Sequence, residues 1–205
     1  MDQTAWTSLT RTPPLFPDAV TLTPAVTAPD LLARIDPSAG CSIKDSFASL
    51  DLGPFGFTVL FEAQWIVRLA QPLPPEPGAL NWQVVREPRG LAQWERAWCG
   101  EDGPSGVIRV ELLGLDSVAI LAAHDGPQVV AGAILNRSST VVGVSNFFAE
   151  SGAESAGWVG CLRLADALFP SATLVGYEAG DALVTARRHG FVPAGPLRVW
   201  INDVG

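Results

Sequence analysis

The chain is poor in the residues from which most catalytic motifs are made. Its 205 residues include two histidines (His124, His189), one tyrosine (Tyr177) and three cysteines (Cys41, Cys99, Cys161). The cysteines are far apart and odd in number, with no Cys-x-x-Cys or Cys/His pair. That pattern points to neither a disulfide framework nor a metal site, so no metal is expected. Reduced, mostly buried thiols fit a cytoplasmic protein. Walker, Gly-x-Ser-x-Gly and His-Glu-x-x-His patterns are absent. So are a basic-apolar leader and an apolar run of membrane-spanning length. Basic residues are scarce, 13 against 21 acidic, for a net charge of −8. An acidic surface attracts neither nucleic acid nor an anionic membrane, and neither is expected as a partner.

What is present is apolar. Hydrophobic residues make up 48% and charged residues 17%, enough for a sizeable core and too few charges for a disordered chain. The length suits one large domain or two small ones. Residues 1–18 read as an extended arm pinned by Trp6, Leu15 and Phe16. A strand at Ala19–Thr23 and a short helix at Leu31–Ile35 capped by Asp30 should follow. Gly53–Gly56 reads as the turn of a hairpin leading into Phe57–Leu69, which is rich in β formers. Gln71–Gly78 holds four prolines in eight residues, a stiff linker and the natural boundary. The expected organisation is therefore an N-terminal arm and β-rich extension, 1–79, and a core, 80–205.

In the core, Asn81–Arg86 reads as a strand. A helix from Glu87-Pro88 to about Trp98 carries Leu91, Trp94, Ala97 and Trp98 on one face. Val118–Ala123, Val129–Leu135 and Thr140–Phe148 form an antiparallel meander. A loop, Ser151–Gly157, precedes a helix from Trp158 to Phe169, with Ser151 and Glu154 spaced as a capping box. Ala172–Tyr177 is then a strand. Gly180-Asp181 caps a helix with Ala182, Leu183 and Ala186 on its apolar face, and Arg187, Arg188 and His189 suit its negative end. Gly190 ends that helix, Phe191 re-enters the core, and Leu197–Ile201 closes.

This order, with the helix closing on Gly190-Phe191 between two strands, resembles the GCN5-related N-acetyltransferase superfamily over residues 80–205. The resemblance implies an α+β fold: a central mixed, largely antiparallel twisted sheet flanked by helices. It implies acetyl-CoA as cofactor and an amine as acyl acceptor, with a homodimer left open. In such proteins the cofactor pyrophosphate meets a helix start, where free N–H groups and the dipole favour anions. By that resemblance Gly152, Ala156, Gly157 and Trp158 lie at the phosphate loop, and Ser145, Asn146 and Phe147 line the pantetheine arm. The chain departs from the family pattern in three places. The basic residue of the phosphate loop is missing, with Glu150 and Glu154 beside it instead. The positions of the usual Tyr and Asn are Ala186 and Ala179. Tyr177 is the remaining acid, and Glu150, Glu178 and His124 are possible bases, of which Glu150 is the expected one. Two functions follow: an acetyl-CoA-dependent N-acetyltransferase, or an inactive binding or assembly module on the same fold, favoured by seven tryptophans and the apolar arm.

Overall fold

The computed structural model describes residues 4–73, 80–100, 103 and 106–203. The backbone divides into two compact units, residues 1–65 with 194–205, and residues 66–193. The division falls inside two strands, β4 (Thr58–Arg68) and β10 (Val192–Ile201), and not at residue 79. Ile66 is 2% exposed in the second unit's core, which is why that unit begins ahead of the proline-rich stretch. Residues 74–79 of that stretch lie outside the described residues.

The first unit orders its strands β1 (Ala5–Thr7), β2 (Ala19–Thr21), β3 (Ser42–Asp45), β10, β4. The expected hairpin across 53–56 does not form, because β10 lies between β3 and β4 and pairs antiparallel with β3, Trp200 opposite Ile43. Residues 53–56 are a 3-10 turn ending on Gly56 at φ +85°. Helix α1 (Ala28–Leu32) starts earlier than expected and is capped by Thr27, whose hydroxyl accepts from the Asp30 N–H; Asp30 is inside the first turn. The arm is held by buried Ala5 and β1–β2 pairing, whereas Leu15 and Phe16 are exposed. Leu31, Cys41, Ile43, Leu52 and Trp200 centre this unit's core. Asp45, fully buried, accepts from the Leu50 and Phe47 N–H groups and the Thr21 hydroxyl.

The second unit orders the Ile66–Arg68 end of β4, then β9 (Thr173–Glu178), β8 (Val141–Ala149), β7 (Gln128–Arg137), β6 (Val118–Asp125) and β5 (Asn81–Val84). Strands β5 to β8 are antiparallel and β9 is parallel to β8. The apolar residues of β6 and β7 divide with the period of two that a pleated strand imposes. Ile120, Ala122 and Ile134 pack with helix α2 (Pro88–Cys99), while Leu121, Ala133 and Leu135 pack with α3 (Glu154–Leu168). Helices on both faces explain why Val118–Ala123 is continuously apolar. Trp94 of α2 is fully buried and donates its indole N–H to the Leu121 carbonyl at 2.8 Å. Ala97 is exposed, and Glu95 is buried in its stead, accepting from the Ile108 N–H at 2.7 Å and the Gly106 N–H at 3.1 Å.

Helix α3 begins at Glu154 rather than Trp158. Ser151 and Glu154 form no capping box: the cap is Ala153, with no side-chain bond to the helix start. Helix α4 (Gly180–Arg188) is likewise capped by Ala179, with Asp181 inside the first turn. Its Ala186 is fully buried but Ala182 is exposed, so the apolar face is narrower than the spacing implies. Gly190 follows the helix at φ +89°, a conformation cheap only for glycine, and turns Phe191 into the core.

Candidate active site between two diverging strands

Strands β8 and β9 share three rungs, Val141–Thr173, Val142–Leu174 and Gly143–Val175. The ladder then stops, although β8 continues to Ala149 and β9 to Glu178. Gly176 sits where the rungs end. A Cβ there would lie 2.8 Å from the Val144 carbonyl oxygen, so only glycine permits this close approach. On its other side β8 bulges: Ser145 faces Ile134 and Phe148 faces Gly132, leaving Asn146 and Phe147 opposite one residue. Asn146 takes φ +52°, a left-handed conformation that asparagine tolerates better than most residues. Ser145 is exposed and Asn146 half-buried.

The start of α3 is packed onto this bulge. A Cβ on Gly157 would come within 3.2 Å of Phe147 and 3.3 Å of Ala149. The Phe147 ring stacks on Trp158 at 4.0 Å between centroids, and Trp158 meets Phe191 at 5.1 Å. Trp158 is 2% exposed, so its side chain is core. Gly152, at φ +86°, and Ala156 border the same helix start. With no side chain capping it, the first turn of α3 retains free N–H donors.

At the end of β9, Tyr177 and Glu178 are half-buried. Burial pushes the Glu178 carboxyl up to about 7. Burial, followed by the neighbouring Glu178 charge, raises the Tyr177 phenol, which stays protonated. Glu150 is exposed just past β8. Its backbone N–H bonds the Val130 carbonyl and its own carbonyl accepts from Ala153. Desolvation acts on the half-buried Glu178 carboxyl, whereas the Glu150 side chain is exposed. Only the fold could show this, because the sequence carries no sign of where a strand end is desolvated.

His124 lies within β6 rather than in a turn, its Nε2 2.8 Å from Gln83 Nε2 on β5. His189, following the last turn of α4, reaches Ser155 in the first turn of α3 at 3.1 Å. Arg68 donates to the His189 carbonyl. Burial and then the Arg68 charge hold His189 below its ordinary value, so it is neutral and adds no charge to the helix end. Cys41 and Cys161 are fully buried and pushed up to about 11 and about 12, which makes both inert. Cys99 is half-buried.

A largely antiparallel sheet between helices, with a parallel pair of strands that part beside a bulge and a helix start, is the fold of the GCN5-related N-acetyltransferases. No family model matches the chain, and no curated protein does. Solved structures do. A GCN5-related N-acetyltransferase from Kribbella flavida matches with a TM-score of 0.59 at 13% identity, over 91% of this chain and 81% of that one. A functionally unknown conserved protein from Staphylococcus epidermidis matches at 0.60 and 14%, over 82% and 74%. A GCN5-related N-acetyltransferase-like protein from Streptococcus suis matches at 0.55 and 14%, over 85% and 76%. At such identities the likeness is one of fold.

Proposed function

We propose that the chain is an N-acetyltransferase that takes its acetyl group from acetyl-CoA and passes it to an amine. The observation that carries this reading is the end of the β8–β9 ladder at Gly143–Val175, beside the uncapped start of α3. The residues present fit the cofactor through backbone: the edge of β8 around Ser145, Asn146 and Phe147 that the β9 ladder does not reach, for a pantetheine amide, and the N–H groups at Glu154–Ala156 for phosphate. When bound, acetyl-CoA supplies an activated thioester. Glu178 accepts the proton that the amine loses as its nitrogen bonds the acetyl carbon. Tyr177, kept protonated, donates to the departing sulfur. Holding the amine against the acyl carbon supplies much of the rate. An amine that is cationic in solution suits an acidic chain.

A second reading, a binding or assembly module without catalysis, is favoured by Glu150 and Glu154 beside the phosphate position and by Ala179 and Ala186. Because Ala186 is fully buried, a polar group there would require a different core. Calorimetric titration of acetyl-CoA and CoA at low salt separates the two. Binding with turnover of amines supports the enzyme. No binding at millimolar ligand ends that reading and leaves the module.

A further inference from the structure

At the end of the second unit's sheet where β6 and β8 begin and β7 ends, the surface holds a partly open cavity of about 240 Å³. It lies apart from the β8–β9 cleft. Arg137 pairs with Val142, three residues before Ser145 on β8, which is roughly 10 Å along the strand at about 3.3 Å per residue. Leu112, Leu168 and Phe169 supply apolar walls, and Arg86, Arg137 and Asp116 supply charge. Arg137 is anchored by its own N–H, which donates to the Ser117 carbonyl at 2.7 Å. Its guanidinium carbon stands 5.5 Å from the Phe169 ring centroid.

Arg86 and Arg137 have no carboxylate at ion-pair distance among the described residues. Their charge at the cavity is therefore not neutralised by a direct ion pair among the described residues. Two guanidiniums bordering one cavity attract an anion, and a guanidinium fork matches a carboxylate in shape. Asp116 offsets one of the two positive charges, so the lining as a whole complements a single negative charge. The volume falls just below that of drug-sized sites, about 300–1,000 Å³, and so suits a small body.

We propose that this cavity binds a small organic monocarboxylate, its apolar body against Leu112, Leu168 and Phe169 and its carboxylate toward Arg86 and Arg137. The site is independent of acetyl transfer, and its occupant is neither acyl donor nor acceptor.

The test is titration of the full chain with benzoate, followed by calorimetry and by amide chemical shifts, with benzylamine and benzyl alcohol as comparators. Benzoate is expected to bind with a Kd near ~1 mM, as befits so small a ligand, and to shift amides around Leu112–Ala119 and Arg137. Arg86→Gln and Arg137→Gln are each expected to weaken it about tenfold, and Arg137→Lys by less. Benzylamine binding as well as benzoate, no benzoate binding up to about 20 mM, or no effect of either Gln variant overturns the proposal. Should Arg137→Gln fail to fold for want of its stacking on Phe169, Arg86→Gln decides. Acetyl-CoA titrated into the same proteins reads the β8–β9 cleft separately and is expected to be unaffected by benzoate or by either variant.

Discussion

Burial raises the Glu178 carboxyl from its ordinary 4.5 to about 7, and this has two measurable consequences. The first is on stability. Below pH 4.5 Glu178 is protonated folded and unfolded, and burial costs nothing through ionisation. Between 4.5 and 7 the unfolded chain releases its proton while the folded chain keeps it, so stability falls as pH rises, by at most about 3 kcal/mol, and is flat above. Glu178→Gln should abolish that slope in urea unfolding measured across this range, and should leave the protein more stable than the parent above pH 7. The second is on rate. In its proposed role as base, Glu178 must be ionised, so kcat/KM for acetyl transfer should rise through a pKa near 7. Glu178→Gln should lower it by about 10²-fold and remove that limb. An unchanged pH profile in the variant would transfer the role of base elsewhere, with Glu150→Gln the next protein to assay.

Elements here are held by close contacts at small residues and by buried carboxylates such as Glu95. A Cβ on Gly160 of α3 would overlap the indole of Trp82 on β5, its nearest atom being Nε1 at 1.9 Å. Gly160→Ala should therefore push α3 off the sheet and destabilise by about 1–3 kcal/mol, seen as a lower unfolding midpoint. Glu95→Ala leaves the Ile108 and Gly106 N–H groups without their acceptor. It should cost about 1–3 kcal/mol and speed hydrogen exchange at Ile108 before the strands of the sheet are affected.

For the molecule as a whole, the expected consequence of cofactor binding is local. Acetyl-CoA at a hundredfold excess over its Kd should stabilise by about 2.7 kcal/mol in thermal unfolding. The added protection from hydrogen exchange should fall on Ser145–Ala149 and the first turn of α3, sparing β1, β2 and β3. Protection spread evenly over both units would speak against a cleft at β8–β9. The amino-acid sequence by itself determined most elements and the fold they resemble, because apolar periodicity and Gly-Pro punctuation are local properties. The meander, the strand–helix–strand ending on Gly190-Phe191 and the buried cysteines Cys41 and Cys161 were all legible there. Caps were less so, since Ala153 and Ala179 hold theirs through backbone geometry with no side-chain bond, and only Thr27 of the three caps through its hydroxyl. Only the tertiary structure decided that β10 separates β3 from β4, that the β8–β9 ladder stops after three rungs, and that β8 bulges at Asn146. It also decided that the Glu178 carboxyl is half-buried and pushed up to about 7. Strand neighbours, bulges and desolvation depend on residues distant in the chain, and a local pattern carries no record of them.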